Sequence, residues 1–247
     1  MNLSVIRPDW PAPANVSAFT TTRVGGFSTG PWKSMNLGLT CGDDPLAVLK
    51  NRETLNQVLP APPQWLRQVH GTRLVEHSGC PEVEPQADAI MSGEVGQVCA
   101  VLTADCLPVF FCDTGGDQVA VAHAGWRGLA NGVLEATVHS MQARPDQIMA
   151  WFGPAIGPTA YEVGEDVKTA FEPEASTCLA VHGDRWRLDL YAAARCRLER
   201  LNLGAVFGGD YCTFIDEQRF FSYRRDGVTG RMASLIWLEA TNSSVGQ

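Results

Sequence analysis

Three short stretches of this chain carry residue types that hold metals or attack carbonyls. They are Gln68-Val69-His70-Gly71, Ala104-Asp105-Cys106-Leu107-Pro108 and His123-Ala124-Gly125-Trp126-Arg127-Gly128. Each sets one imidazole or thiol (His70, Cys106 or His123) among small residues and turn formers. Two imidazoles and a thiolate make a three-ligand set that leaves a zinc ion its fourth position open. An open position means chemistry rather than scaffolding. Taken singly, each residue has a plain structural reading as a hydrogen-bonded histidine or a buried cysteine. Jointly they stand out because all three lie in polar, turn-flanked words, although their spacings of 36 and 17 residues match no generic zinc signature.

Several named chemistries are missing from the sequence. It has no His-Glu-x-x-His of helix-borne zinc proteases and no P-loop or dinucleotide fingerprint. It also lacks the deaminase signature ending in Pro-Cys-x-x-Cys and the Gly-x-Ser-x-Gly elbow. What remains open is a metal centre or a cysteine nucleophile, Cys106, activated by His123 or His70. Asp105 could orient a ligand histidine, carry a proton or simply cap a turn. Arg52, Arg127, Arg224 and Arg225, and with less reason Arg23, are candidates to fork onto phosphate oxygens. Their plain alternative is to brace backbone or to snorkel.

These residues need elements to position them. Residues 18–23 suit a strand, 25–30 a glycine loop, and Asp44-Pro45 opens a helix running to about Leu59. Val48, Arg52, Leu55 and Leu59 fall on one face of that helix, with Arg52 the odd cation in an apolar stripe. Residues 65–69 read as a strand ending at His70, and a second strand lies near Leu74. The apolar run 98–104 reads as a strand buried on both faces that delivers Asp105 and Cys106. Pro108 is expected to interrupt hydrogen bonding before the sheet resumes at 109–111. Residues 118–122 form the strand that delivers His123, followed by a helix over 129–142 and a strand over 148–152. Helices are expected over 163–171 and 188–203, a strand and turn over 220–227, and a last strand over 233–238.

The chain has 247 residues, 45% of them apolar, with a formal charge of −8. That size can bury a substantial core, and that charge argues against nucleic acid or an anionic membrane surface as the partner. No run approaches the roughly 20 apolar residues of a spanning helix, and the N-terminal residues do not read as a signal peptide. The eight cysteines are scattered without a Cys-x-x-Cys pair, as in a reduced, cytoplasmic protein.

Further words extend the pattern: Arg23-Val24-Gly25-Gly26-Phe27-Ser28, Ser34-Met35-Asn36-Leu37-Gly38, Gly42-Asp43-Asp44 and Asn51-Arg52. They continue through Gly153-Pro154-Ala155-Ile156-Gly157-Pro158, Tyr161-Glu162-Val163-Gly164 and Phe221-Ser222-Tyr223-Arg224-Arg225. In these words, over nearly its whole length, the sequence resembles the YfiH-like family, variously called multicopper polyphenol oxidases (laccase-domain proteins) or purine nucleoside phosphorylases. The resemblance implies one domain over 1–247, an α+β fold of mixed sheets sandwiched between helices and related to cysteine hydrolases. It also implies metal ligands at His70, Cys106 and His123. Thr159 and Ala160 stand where relatives often have other small residues or cysteines, with no consequence for the site.

Three activities follow from the resemblance. Copper-dependent phenol oxidation by a multinuclear cluster needs more imidazoles than His77, His139 and His182 add. Purine nucleoside chemistry fits better: one zinc for deaminating adenosine, arginines for the phosphate that phosphorolyses adenosine or inosine, and copper as a possible substitute metal. Asp105 joins His70, Cys106 and His123 as the expected catalytic set, while Glu162 and Tyr161 are only positional candidates for protonating the leaving base. The third activity is a cysteine-nucleophile amidohydrolase editing peptidoglycan precursors. A metal-buffering protein would leave the arginines idle.

Overall fold

Strands that are apolar on both faces dictate the architecture. The computed structural model of the chain describes residues 3–80 and 84–240. The one-domain expectation over 1–247 also takes in residues 1–2, 81–83 and 241–247, which lie outside the described ones. Among the described residues, one antiparallel sheet has the order β1 (Val5–Ile6), β2 (Val16–Thr21), β13 (Met232–Leu238), β5 (Cys99–Thr103). A six-stranded mixed sheet runs β12 (Ala205–Gly208), β8 (Ile148–Phe152), β6 (Leu107–Asp113), β7 (Val119–Ala124), β4 (Ala89–Ser92), β3 (Leu74–Glu76). A small sheet of β10 (Leu179–His182), β11 (Arg185–Leu188) and β9 (Glu162–Val163) lies apart from both.

The two-residue period of a strand sorts the core into layers. Phe110 and Cys112 of β6, with Val119 and Val121 of β7, pack against Cys99 and Val101 of β5 and Ile236 of β13, between the two large sheets. Val109 and Phe111, with Ala120 and Ala122, face the other way. There they meet Leu129 of α2 (Trp126–Asn131), Leu134 and Val138 of α3 (Val133–Ser140), and Ala194 and Leu198 of α6 (Leu190–Arg200). Val167 of α4 (Glu165–Ala170) and Cys178 of α5 (Ala175–Cys178) complete that layer. On the far side of the four-stranded sheet, Phe19, Ala100 and Leu235 pack against Met35, Leu37 and, from α1 (Pro45–Asn56), Leu55. Each fully buried phenylalanine or leucine contributes about 1.5–3 kcal/mol. The result is the expected α+β arrangement of mixed sheets between helices.

Several elements depart from expectation for identifiable reasons. Residues 65–69 make only one isolated bridge, Arg67 to Gln86, because the backbone of Val69, His70 and Gly71 turns its N–H groups onto a carboxylate. Pro108 does not interrupt β6. It pairs opposite His123, and its carbonyl accepts from Gly153 just beyond the end of β8, so its missing N–H faces no strand partner. The helix expected over 129–142 is two helices, parted at Gly132, where φ is +98°. Residues 223–226 are a short helix, α7 (Tyr223–Asp226), rather than strand and turn, and β4, β10, β11 and β12 were not anticipated.

Candidate metal centre

Cys106 occupies the step where the chain leaves β5 in one large sheet and enters β6 in the other. Asp105, immediately before it, makes that step with φ at +91°. His123 is the next-to-last residue of β7, and the register Leu107 to Ala124 brings Cys106 beside it. His70 comes from the loop before β3, also with a left-handed φ of +59°. Its neighbour Gln68 bonds both the N–H and the carbonyl of Leu102 at 2.8 Å, tying that loop to β5. The three ligand atoms lie within 4.8 Å of one another, and Cys106 Sγ is 3.8 Å from His70 Nε2.

Asp88, not foreseen as a site residue, organises this cluster. Its carboxylate accepts from the backbone N–H groups of Val69, His70 and Gly71 at 3.2, 2.9 and 2.7 Å, which forces the left-handed turn at His70. Its Oδ1 also lies 2.9 Å from His123 Nδ1. Burial alone would raise the Asp88 pKa, but the bonds to His123 and to the loop hold it below the usual carboxylate range. An ionised carboxylate only accepts, so Nδ1 carries the proton and Nε2 is left for the centre. The sequence signal for Asp88 is faint: one carboxylate between alanines, just ahead of a short apolar strand.

Electrostatics make the same pair a thiolate and an imidazolium. Burial opposes charge on both groups, yet His123 and His70 bring the Cys106 thiol down to about 6, and Cys106 and Asp88 raise His123 to about 9. Metal ligation would use that thiolate and displace the proton from His123 Nε2. Tetrahedral bonds of about 2.0–2.3 Å put neighbouring ligand atoms roughly 3.4–3.6 Å apart, so the observed separations need only a small inward movement of the exposed His70. The donor set fits a zinc-type metal.

The centre opens into a cleft of about 560 Å³, within the range of small-molecule sites. Its walls include Leu39, Leu66, Leu102, Tyr223, Arg52 and Arg231 along with the three ligands.

Comparison with known proteins matches the chain to a family. Residues 17–239 match the model described as multi-copper polyphenol oxidoreductase laccase. Escherichia coli "Purine nucleoside phosphorylase YfiH" is 51% identical over 95% of this chain and 98% of its own length. The chain belongs to the YfiH-like family. A Streptomyces coelicolor member, also named a purine nucleoside phosphorylase, is 39% identical over 89% of this chain and 94% of its own. Among solved family structures, a Neisseria meningitidis protein superposes with a TM-score of 0.93 at 49% identity, over 96% of this chain and all of its own. YlmD from Geobacillus stearothermophilus does so at 0.89 and 32%, covering 97% of this chain and 98% of its own.

Within this family fold, the expected site residues divide. His70, Cys106, His123 and Arg52 share the cleft. The Arg52 guanidinium lies 4.2 Å over the Trp65 ring, donates to the Leu37 carbonyl at 3.0 Å and sits 3.4 Å from Glu84. Arg127 and Arg224 do not line it. Arg127 is exposed and stacks on Trp126, while Arg224 lies 5.1 Å over the Tyr161 ring. Arg225 is corrected outright, because all five guanidinium N–H donors are engaged by the carbonyls of Thr213, Phe214 and Phe220 and by the Asp226 carboxylate.

Asp105 has other partners. Its two carboxylate oxygens accept from Thr213 Oγ1 at 2.6 Å and from the Arg224 N–H at 2.7 Å, so it orients no ligand histidine; Asp88 does. Arg231, which the sequence did not single out, lines the cleft instead. Its Nη1 donates to the carbonyls of Thr229 and Gly230, leaving Nε and Nη2 as a free fork among the described residues.

Proposed function

We propose that the chain is a zinc-dependent purine nucleoside enzyme that phosphorolyses adenosine- and inosine-type nucleosides and deaminates adenosine. The observation that carries this is the convergence of His70, Cys106 and His123 on a cleft that also holds guanidinium groups. The nucleoside itself comes from the names of the relatives. A zinc ion held by this set would supply hydroxide at neutral pH by lowering the pKa of a water to about 7.

The chain's own residues do the remaining work. Asp88 holds the tautomer of His123 and the turn that presents His70. The permanent charges of Arg52 and Arg231 suit phosphate oxygens, which planar guanidinium forks bind two at a time; phosphate is assigned to them rather than to Arg127, Arg224 or Arg225. In phosphorolysis a phosphate oxygen bonds to C1′ of the ribose as the bond to the base breaks. We take the enzyme to be cytoplasmic and to act on small molecules, not nucleic acid or membrane. The charge of −8 agrees, and no described helix is long and apolar enough to cross a membrane.

Copper would also be held by these donors, but multicopper oxidation needs a second cluster. Among the described residues, His70, Cys106 and His123 form the one grouping of this kind. His77 bonds the Gly79 N–H and His182 pairs with Arg187, away from it. Several coppers per chain in protein from cells grown without added copper would overturn this choice.

The deciding experiment is chromatography of products after incubation with adenosine, with and without phosphate. Adenine formed only with phosphate, or inosine formed in either case, supports nucleoside chemistry. No turnover by protein carrying one zinc refutes it.

A cysteine-nucleophile amidohydrolase is favoured instead by one feature, the order Asp88, His123, Cys106. In it a carboxylate orients an imidazole, which in turn holds a thiolate. A muropeptide amide would be its substrate. A nucleophile would be protected from alkylation by substrate, whereas a ligand thiolate would be protected by zinc.

A further inference from the structure

Asp105 and Arg225 grip one element. Helix α7 has only four residues, far too few to sustain itself. It is fastened from several sides. Ser222 Oγ accepts from the Arg225 N–H at 3.2 Å and Asp105 from the Arg224 N–H at 2.7 Å. The Arg225 guanidinium reaches three carbonyls of residues 213–220, and Arg224 Nη1 donates to the Glu162 carbonyl.

What this grip presents to the cleft is Tyr223. The residue is 61% exposed and lines the same cleft as the ligand cluster. Its side chain has no hydrogen bond or ring contact among the described residues. An aromatic ring left bare, on a helix held by a buried carboxylate and a fully engaged arginine, is a rigid surface waiting for a flat partner.

We propose that Tyr223 is the platform on which the purine base of the substrate stacks, and that Asp105 and Arg225 act through it as positioning residues. This rests on the nucleoside assignment above. A purine offers a broad π-face, and base–aromatic stacking does not depend on the hydrogen-bonding pattern of the base, so adenosine and inosine are both accommodated. Leu39 and Leu102 add apolar wall in the same cleft, while Arg52 and Arg231 supply its charged part. The phenolic hydroxyl has no role in this stacking; the ring does.

The test is calorimetric titration with inosine in the absence of phosphate, so that phosphorolysis cannot proceed. Tyr223→Ala is expected to weaken binding about tenfold or more. Tyr223→Phe should stay within about twofold of wild type, and the KM for phosphate should change in neither. Arg225→Lys loses the multiple carbonyl contacts but not the charge. It should weaken inosine binding in the same direction with zinc content and phosphate KM unchanged.

Tyr223→Ala binding inosine like wild type, or Tyr223→Phe binding as weakly as Tyr223→Ala, overturns the platform. Unchanged binding by Arg225→Lys overturns the positioning role. If the wild type releases hypoxanthine from inosine only with phosphate while Tyr223→Ala binds normally, the platform fails and the nucleoside function stands. If the wild type neither binds nor cleaves inosine, both fall.

Discussion

Gly125→Ala tests whether His70 and Cys106 truly serve one centre. Gly125 has φ −65° and ψ 158°, a conformation alanine adopts without strain. The backbone therefore tolerates the change, and the effect is confined to space. The added methyl would lie 2.8 Å from His70 Cδ2 and 3.0 Å from Cys106 Sγ. Ordinary carbon contacts are about 3.5–4.0 Å, so the imidazole must retreat by roughly 0.7–1.2 Å. Cys106 sits next to the β6 ladder and His123 is locked by Asp88, whereas His70 is exposed; His70 is the group that moves. A displacement of about 1 Å commonly costs about a hundredfold in rate, and disturbed ligand orientation about 10–100-fold in metal affinity. Competition with a chromogenic chelator reads zinc affinity, and circular dichroism reads the melting temperature. Zinc affinity and kcat/KM should drop by these factors, with the melting temperature little changed. A variant with wild-type zinc affinity and activity would show that His70 does not share a centre with Cys106.

Asp88→Asn should weaken zinc binding about 10–100-fold and also destabilise the fold, since it breaks bonds to a buried carboxylate worth about 1.5–3 kcal/mol each; chelator competition and denaturant titration check both. In metal-stripped protein, iodoacetamide should label Cys106 with a pH midpoint near 6, because a lowered pKa leaves the thiolate present above that value and lost below it. Zinc should slow this labelling sharply; a midpoint near the ordinary thiol value of about 8.5 would contradict the pairing with His123. Arg231→Gln should raise the KM for phosphate at least about tenfold by removing a charged fork, with inosine affinity unchanged, and an unaltered phosphate KM would remove Arg231 from the site. Phe111→Ala, in the core facing the helices, should cost about 3–5 kcal/mol in urea unfolding.

His70, Cys106 and His123 stood out as candidates because each lies in a turn word beside an apolar run, but each alone has a plain structural reading and the ligand set rested on the family resemblance. Buried strands were legible from runs such as 98–104 and 148–152, which are almost wholly apolar, whereas the layering of sheets between helices came only from the family resemblance. Asp88 was not legible, because its partners lie 17 to 19 residues before it and 35 after it. The arginines were not separable for a related reason. In sequence a guanidinium that holds three carbonyls cannot be told from one that faces a cleft, and only the tertiary fold decides that Arg225 is saturated while Arg231 keeps a free fork. The α7 segment misled because Phe220 and Phe221 are fully buried without belonging to a strand.

The placement of the centre explains why it needs so much fastening. Its ligands come from the step between two sheets, the end of a strand and a loop, so no single ladder fixes all three. The fold substitutes side-chain to backbone bonds for the missing ladder. Gln68 clamps the His70 loop to β5, Asp88 gathers three consecutive N–H groups of that loop, and Asp105 joins the Cys106 turn to Thr213 and α7. Both carboxylates are buried and both accept mainly from neutral donors, which satisfies them without pairing them to the cleft guanidiniums. Among the described residues the Arg231 fork is free, and a chain with a net charge of −8 can still offer an anion a local partner. The two carboxylates do one job at two places: Asp88 holds the His70 loop and His123, and Asp105 holds the turn before Cys106 to Thr213 and to α7, which carries Tyr223.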